Sequence, residues 1–176
     1  DAFAYANTKN KFVHFLGLVS DGGVHSHINH LEGLLKAAQA AGVPKSYVHA
    51  FTDGRDVDPK SGSGFLDRVQ EICATTNAHL ASVIGRYFAM DRDQRWERVK
   101  KAYDLLVNGT GTQSKNLTET MKANYAAGTT DEFIEPILLF ESGDLTASRI
   151  KEDDVVIFFN FRTDRGRQLT QALSQE

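Results

Sequence analysis

The stretch "KFVHFLGLVSDGGVHSHINHLEGLLKAAQA" at residues 11–40 contains one complete switch of secondary structure. Its first third is apolar and β-branched, the pattern of a buried strand. Its last third sets Ile28, Leu31, Leu34, Leu35 and Ala38 on one face of a helix, and Gly42 and Pro44 end that helix. Between the two stand Asp21, Gly22, Gly23, His25, His27 and His30. The same order of strand, polar loop and helix then repeats. "SYVHAFTD" reads as a second strand, "DGRDVDPKSGSG" as its loop, and Phe65, Val69, Ile72 and Cys73 as the next helix, with Ser61 or Ser63 as its cap. "HLASVIG" is a third strand with "RYFAMDRD" as the loop behind it, and Trp96, Val99, Tyr103 and Leu106 mark a third helix that stops near Asn108. "NGTGTQSKN" reads as a flexible connector and residues 117–127 as a fourth helix closed by Gly128. "EPILLFESGDLTASRI" reads as two short strands joined by a Ser-Gly-Asp turn, which makes part of the sheet antiparallel. "DDVVIFFN" is the most strongly strand-like run, and "FRTDRGRQLTQAL" opens the final helix. Nearly all-apolar strands alternating with helices predict an α/β fold: a three-layer α/β/α arrangement around a mostly parallel, mixed sheet.

The 176 residues suit one domain, and 41% hydrophobic with 24% charged residues is ordinary for a globular protein. A net charge of -3 without a basic stripe argues against nucleic acid or a membrane surface as partner. No apolar run approaches the roughly 18 residues that span a bilayer. Cys73 is the single cysteine, so no internal disulfide is possible and a reducing, cytoplasmic location is expected. Its apolar neighbours Val69 and Ile72 make it a core residue. The opening "DAFAYANTKN" reads as the tail of a helix cut from something upstream, with the chain a fragment.

In open α/β sheets ligands bind beyond the carboxyl ends of the strands. The first expected strand is followed there by Asp21, Gly22, Gly23, His25 and His27, and the second by Asp53, Gly54, Arg55 and Asp56. The third is followed by Arg86, Asp91 and Arg92, and the last by Asn160, Arg162, Asp164 and Arg165. Half of the chain's arginines thus stand at strand ends among Asp and His. A guanidinium pairs bidentately with carboxylate or phosphate and keeps its charge, so several crowded together call for a small polyanion. Structural pairing of each with a neighbouring Asp is the simpler alternative. His25-x-His27 behind a strand has the look of a metal pair, but adjacent guanidinium groups oppose a divalent cation. His14, His49 and His79 fall within strands and read as structural, and His30 as a helix residue. No GxxxxGK[ST], GxGxxG or G-x-S-x-G is present, which leaves a nucleotide loop and a serine nucleophile within this chain unsupported.

Four segments in order, "GLVSDGGVHSH", "HAFTDGRDV", "GRYFAMDRDQRWERVKKAYDLLVNG" and "VVIFFNFRTDR", resemble the cofactor-independent (2,3-bisphosphoglycerate-independent) phosphoglycerate mutases. The likeness runs from about Phe12 to the end. It implies that residues 12–176 are the inserted phosphotransferase, or substrate-binding, domain. Residues 1–11 would then be a crossing segment from an alkaline-phosphatase-like domain absent here, with hinges near that segment and beyond Phe161. It implies a glycolytic isomerase of glucose catabolism that interconverts 2-phosphoglycerate and 3-phosphoglycerate through a phosphoserine. The nucleophile, a substrate-binding lysine and two Mn2+ ions would belong to the missing phosphatase domain, with no metal or cofactor on this chain and no activity of the isolated domain. By the same resemblance, His25, Arg55, Asp56, Arg86, Arg92, Arg162 and Arg165 contact substrate, with Asp56 the acid/base at a hydroxyl. Thr163 stands where many relatives show proline, between two arginines that are kept. Two other readings stay open on the residues alone. One is a stand-alone small-polyanion-binding module; the other is a metallohydrolase using Asp21, His25 and His27.

Overall fold

Successive residues of strand β1 (Val13–Leu18) feed two different apolar clusters: Val13 and Phe15 enter one, Leu16 and Leu18 the other. All six residues of β1 are buried. A strand covered on both faces is a central strand of a parallel sheet. In the computed structural model, which describes residues 1–140 and 147–175, β1 pairs in parallel with β2 (Ser46–Thr52) and with β6 (Val155–Phe158). β2 continues in parallel to β3 (Ala78–Gly85). β5 (Ile137–Leu139) runs antiparallel to β3, and β4 (Thr112–Ser114) lies parallel to β5 at the edge. Among the described residues the strands form one sheet in the order β4-β5-β3-β2-β1-β6.

Helices cover both faces and complete the three-layer α/β/α architecture. On the Phe15 side lie α1 (Ala2–Lys9), α2 (Ile28–Ala40), α3 (Gly62–Ala74) and α6 (Leu117–Ala126), contributing Ala6, Ile28, Leu31, Leu35, Val69 and Met121 to the first cluster. On the Leu16 side lie the short α4 (Arg86–Ala89), α5 (Trp96–Tyr103) with its π-helical extension Asp104–Asn108, and α7 (Arg167–Ser174). They contribute Phe88, Val99, Ala102, Leu105, Leu106 and Leu169 to the second. Among the described residues no helix is long and apolar enough to cross a membrane.

Several expectations need correction. The expected connector "NGTGTQSKN" contains β4, because the Thr112 N–H reaches the Pro136 carbonyl and extends the sheet. "RYFAMDRD" begins with helix α4 rather than loop. The second strand expected in "EPILLFESGDLTASRI" falls partly outside the described residues, its Ser-Gly-Asp turn entirely so, and residues 147–149 form a turn and bend. "DDVVIFFN" gives only the four-residue β6, which stands at the sheet edge and is half exposed, with Val156 at 37%. Apolarity reports affinity for a strand but not its place in the sheet. Helix α3 starts at the expected SGSG, yet the serines do not cap it. Its first N–H groups are taken by residues remote in sequence: Gly62 N donates to Asp131 Oδ2 at 2.7 Å and Ser63 N to the Tyr125 hydroxyl at 3.1 Å.

Cys73 is buried, and burial pushes its thiol up to about 12, so it behaves as a core residue. Two of the strand histidines, His14 and His49, form a buried file across the sheet, whereas His79 is exposed. His14 Nδ1 meets His49 Nε2 at 3.0 Å, His49 Nδ1 meets Ser82 Oγ at 2.7 Å, and His14 Nε2 meets Asp154 Oδ2 at 3.2 Å. This file runs from Asp154, just before β6, to the middle of β2 and β3, and does not include the loops at the carboxyl ends.

Candidate anion site at the strand tips

The loop after β1 is held by its own strand end. Ser26 Oγ donates to the Leu18 carbonyl at 2.5 Å, and Asn160, just beyond β6, accepts the Leu18 N–H at 2.9 Å. A Cβ at Gly17 would lie 2.8 Å from both Asn160 Oδ1 and the Phe159 ring, so glycine permits this closure. The loop also fixes the neighbouring strand tip, because the His25 carbonyl accepts N–H bonds from Phe161 and Arg162. His27 leaves the cluster: its ring accepts the Asn29 N–H at 3.2 Å and caps α2. Asp21 is exposed. Among the described residues no three His, Cys, Asp or Glu side chains form a group able to hold a metal ion, so Asp21, His25 and His27 are not assembled as the metallohydrolase reading requires. His30 lies on α2 against the exposed Phe161 ring.

Arg86, at the tip of β3, is the centre of the site. Its side chain is 4% exposed. Nη1 donates to Asp53 Oδ1 at 2.7 Å and to Asp56 Oδ2 at 2.6 Å, and Nη2 stands 3.0 Å from His25 Nε2. Burial opposes its charge, but the bonds to Asp56 and Asp53 outweigh it and raise its pKa. A guanidinium only donates, so His25 Nε2 must accept and the imidazole proton sits on Nδ1. Burial, then the charge of Arg86, lower the pKa of His25 against the opposing pull of Asp56, which keeps the ring neutral at physiological pH. Nδ1 itself is buried and makes no hydrogen bond among the described residues. A buried, unpaired N–H donor costs about 1–3 kcal/mol, a cost that a ligand oxygen would remove.

Asp53 organises the turn after β2. Its Oδ1 accepts the backbone N–H groups of Arg55 and Asp56 at 3.1 and 3.0 Å, and Oδ2 accepts Ser20 Oγ at 2.7 Å. Burial works against its ionisation, but these bonds and Arg86 together lower its pKa. Arg55 projects outward, its side chain 56% exposed, toward Glu132 at 3.4 Å. Arg92 Nη1 donates to Asp164 Oδ2 at 2.9 Å, and Arg162 pairs with the same carboxylate through Nε and Nη2 at 2.9 and 3.2 Å. Arg165 donates to the Met90 carbonyl at 3.2 Å. Its pKa is lowered by burial first and then by repulsion from Arg92, Arg86 and Arg55.

The structure therefore gathers all seven expected residues at one end of the sheet. His25 feels Arg86, Asp56 and Arg162, while Arg165 feels Arg92, Arg86 and Arg55. Structural pairing with carboxylates is also real, for Arg55, Arg86, Arg92 and Arg162 each have one. Arg165 has none among the described residues. The sequence reading missed the supporting carboxylates as site members. Asp53 and Asp164 stood in the strand-end motifs, whereas Glu132 lies in "TTDEFIEP", a segment without a signal of its own.

This geometry defines a class: an α/β domain whose strand tips gather arginines, carboxylates and a neutral histidine at one end of the sheet. The chain belongs to the family described as BPG-independent PGAM N-terminus, which it matches over residues 1–176. It is 59% identical over 175 residues to the 2,3-bisphosphoglycerate-independent phosphoglycerate mutase of Flavobacterium johnsoniae, covering 99% of this chain and 35% of that protein. The enzyme of the same description from Flavobacterium psychrophilum is 59% identical over 176 residues, again with 35% of its length covered. Among solved structures, a crystal structure of Leishmania mexicana phosphoglycerate mutase at low cobalt concentration matches with a TM-score of 0.92 at 30% identity, over 99% of this chain and 34% of that one. The chain thus spans about a third of the length of these relatives.

Proposed function

We propose that this chain is the substrate-binding domain of a phosphoglycerate mutase that interconverts 2-phosphoglycerate and 3-phosphoglycerate, working with a phosphatase domain of the same polypeptide in the cytoplasm. The observation that carries the reading is a charge imbalance. Five guanidinium groups, of Arg55, Arg86, Arg92, Arg162 and Arg165, face four carboxylates, of Asp53, Asp56, Glu132 and Asp164, beside a neutral His25. The surplus positive charge and the unpaired His25 Nδ1–H both favour an anion rich in oxygen acceptors.

Phosphoryl transfer depends chiefly on positioning and on stabilising charge. In this reading the arginines bind the carboxylate and phosphoryl oxygens. Asp56, bonded to Arg86 and one-fifth exposed, meets a glycerate hydroxyl and accepts or returns its proton. Holding glycerate while its phosphate is elsewhere separates a mutase from a phosphatase. The two manganese ions find no group of three His, Cys, Asp or Glu side chains among the described residues, and the guanidinium groups beside His25 and Asp56 oppose a divalent cation; in this reading the ions are held by the phosphatase domain.

The test is Arg162→Asp in the full-length enzyme, read by conversion of 3-phosphoglycerate to 2-phosphoglycerate and by circular dichroism. The expected outcome is loss of conversion with the spectrum kept. Conversion at the wild-type rate would refute the assignment.

A further inference from the structure

The carboxylates at the site divide into two kinds. Asp53 is a fixture: its side chain is 1% exposed and it accepts two backbone N–H bonds besides Arg86. Asp164 is different. Its side chain is 34% exposed, and among the described residues its hydrogen-bond partners are two guanidinium groups from separate strand tips, Arg92 and Arg162. Those side chains are themselves 46% and 45% exposed. Arg162 donates to Oδ2 through Nη2 at 3.2 Å and brings Nε within 2.9 Å of Oδ1, an oxygen that makes no hydrogen bond among the described residues, so the carboxylate fills only part of the fork that arginine offers an anion. Burial opposes the ionisation of Asp164, but Arg92 and Arg162 outweigh it and hold it as the anion.

We infer that Asp164 is an internal counter-ion occupying the arginine seat of the ligand's anionic group, so that ligand binding at Arg92 and Arg162 competes with an acid built into the protein. This rests on the proposed function. Without Asp164, Arg92, Arg162 and Arg165 would stand together with no carboxylate between them; with it, the arginines are held in place. The side chains of this contact are partly exposed, hence it is weak enough to exchange, unlike the buried pair of Arg86 with Asp53. Asp164 therefore sets affinity and specificity: an anion must out-compete one carboxylate, which a phosphate ester with two charges does and a monoanion does poorly.

The full-length enzyme carrying Asp164→Asn or Asp164→Ala tests this. The readouts are KM for 3-phosphoglycerate and the competitive inhibition constant of inorganic phosphate, with thermal melting as the check on folding. Removing the competitor should lower both constants in parallel by about two- to fivefold, the range for an exposed ion pair. If both constants rise or stay unchanged in variants that melt like the wild type, Asp164 orders the arginines or does nothing, and the inference is overturned. The alanine variant decides the matter if the asparagine one fails to fold. A wild-type enzyme without mutase activity would instead sink the proposed function, so the two failures are separable.

Discussion

Arg86 and Asp53 form an ion pair of 2.7 Å in which the side chains are 4% and 1% exposed. Removing Asp53 leaves Arg86 with Asp56 still beside it at 2.6 Å but strips Ser20 and two backbone N–H groups of their acceptor; breaking a buried charged network in this way costs about 3–5 kcal/mol. Asp53→Ala should therefore lower the free energy of unfolding by about that amount, measured by urea denaturation. Under the proposed function, the same change in the full-length enzyme should also abolish conversion of 3-phosphoglycerate, because Arg86 and the turn carrying Arg55 and Asp56 lose their common anchor. The pH dependence has a defined sign. The folded pKa of Asp53 is depressed, so its contribution is complete above its unfolded value near 3.9 and is lost as pH falls toward the folded value. The acid limb of wild-type stability should flatten below about pH 4 in the variant. An unchanged urea midpoint would contradict the role given to Asp53.

Helix and strand periodicities made the layers readable from the sequence. Ile28, Leu31, Leu35 and Ala38 form the buried stripe of α2, and the all-apolar β1 and β2 lie at the sheet centre. The site was readable for a related reason: in a parallel sheet every strand delivers its following loop to the same end, so Arg55, Arg86 and Arg162 could be grouped without knowing strand order. What stayed hidden depended on contacts distant in sequence. The three-residue β4 exists because β5 lies beside it, and neither segment is long enough to show a period. Glu132 enters the site because a 3-10 turn, Asp131–Phe133, lodges against glycines of three other segments. The edge position of β6 is likewise a property of the assembled sheet.

His49 is fully buried between His14 and Ser82, and burial, assisted by His14, lowers its pKa well below the usual histidine value. A base with a depressed folded pKa binds fewer protons in the native state than in the unfolded one. Stability is complete above the unfolded pKa near 6.5 and falls as pH drops below it, by about 1.4 kcal/mol per pH unit for one such group. His25, also lowered, adds to the slope. Urea midpoints of the wild type should therefore drop between pH 7.5 and 5.5. His49→Asn should be less stable at pH 7.5 and lose less on acidification. Equal pH slopes for the two proteins would show that His49 is not neutral in the fold.

Glu132 reaches Arg55 only because its turn is clasped by glycines. A Cβ at Gly85 would collide with the Glu132 carbonyl, and one at Gly62 would lie 2.5 Å from Asp131 Oδ1. Gly54, at φ +66°, would place a Cβ 2.9 Å from the Glu132 backbone nitrogen. Tyr125 donates to Asp131 behind the clasp, so the turn is bound from both sides. Two substitutions separate packing from charge. Gly85→Ala must push the turn away, and overpacking of this kind costs about 1–3 kcal/mol; stability should fall and, under the proposed function, KM of the full-length enzyme for 3-phosphoglycerate should rise with it. Glu132→Gln keeps the packing and removes an exposed ion pair worth at most about 1 kcal/mol. It should leave the melting temperature within a degree or two of wild type while raising KM about two- to fivefold, the range for such a pair, because Arg55 loses the partner that aims it. If Glu132→Gln melts early with KM unchanged, the carboxylate serves the fold and Arg55 is aimed by its own backbone.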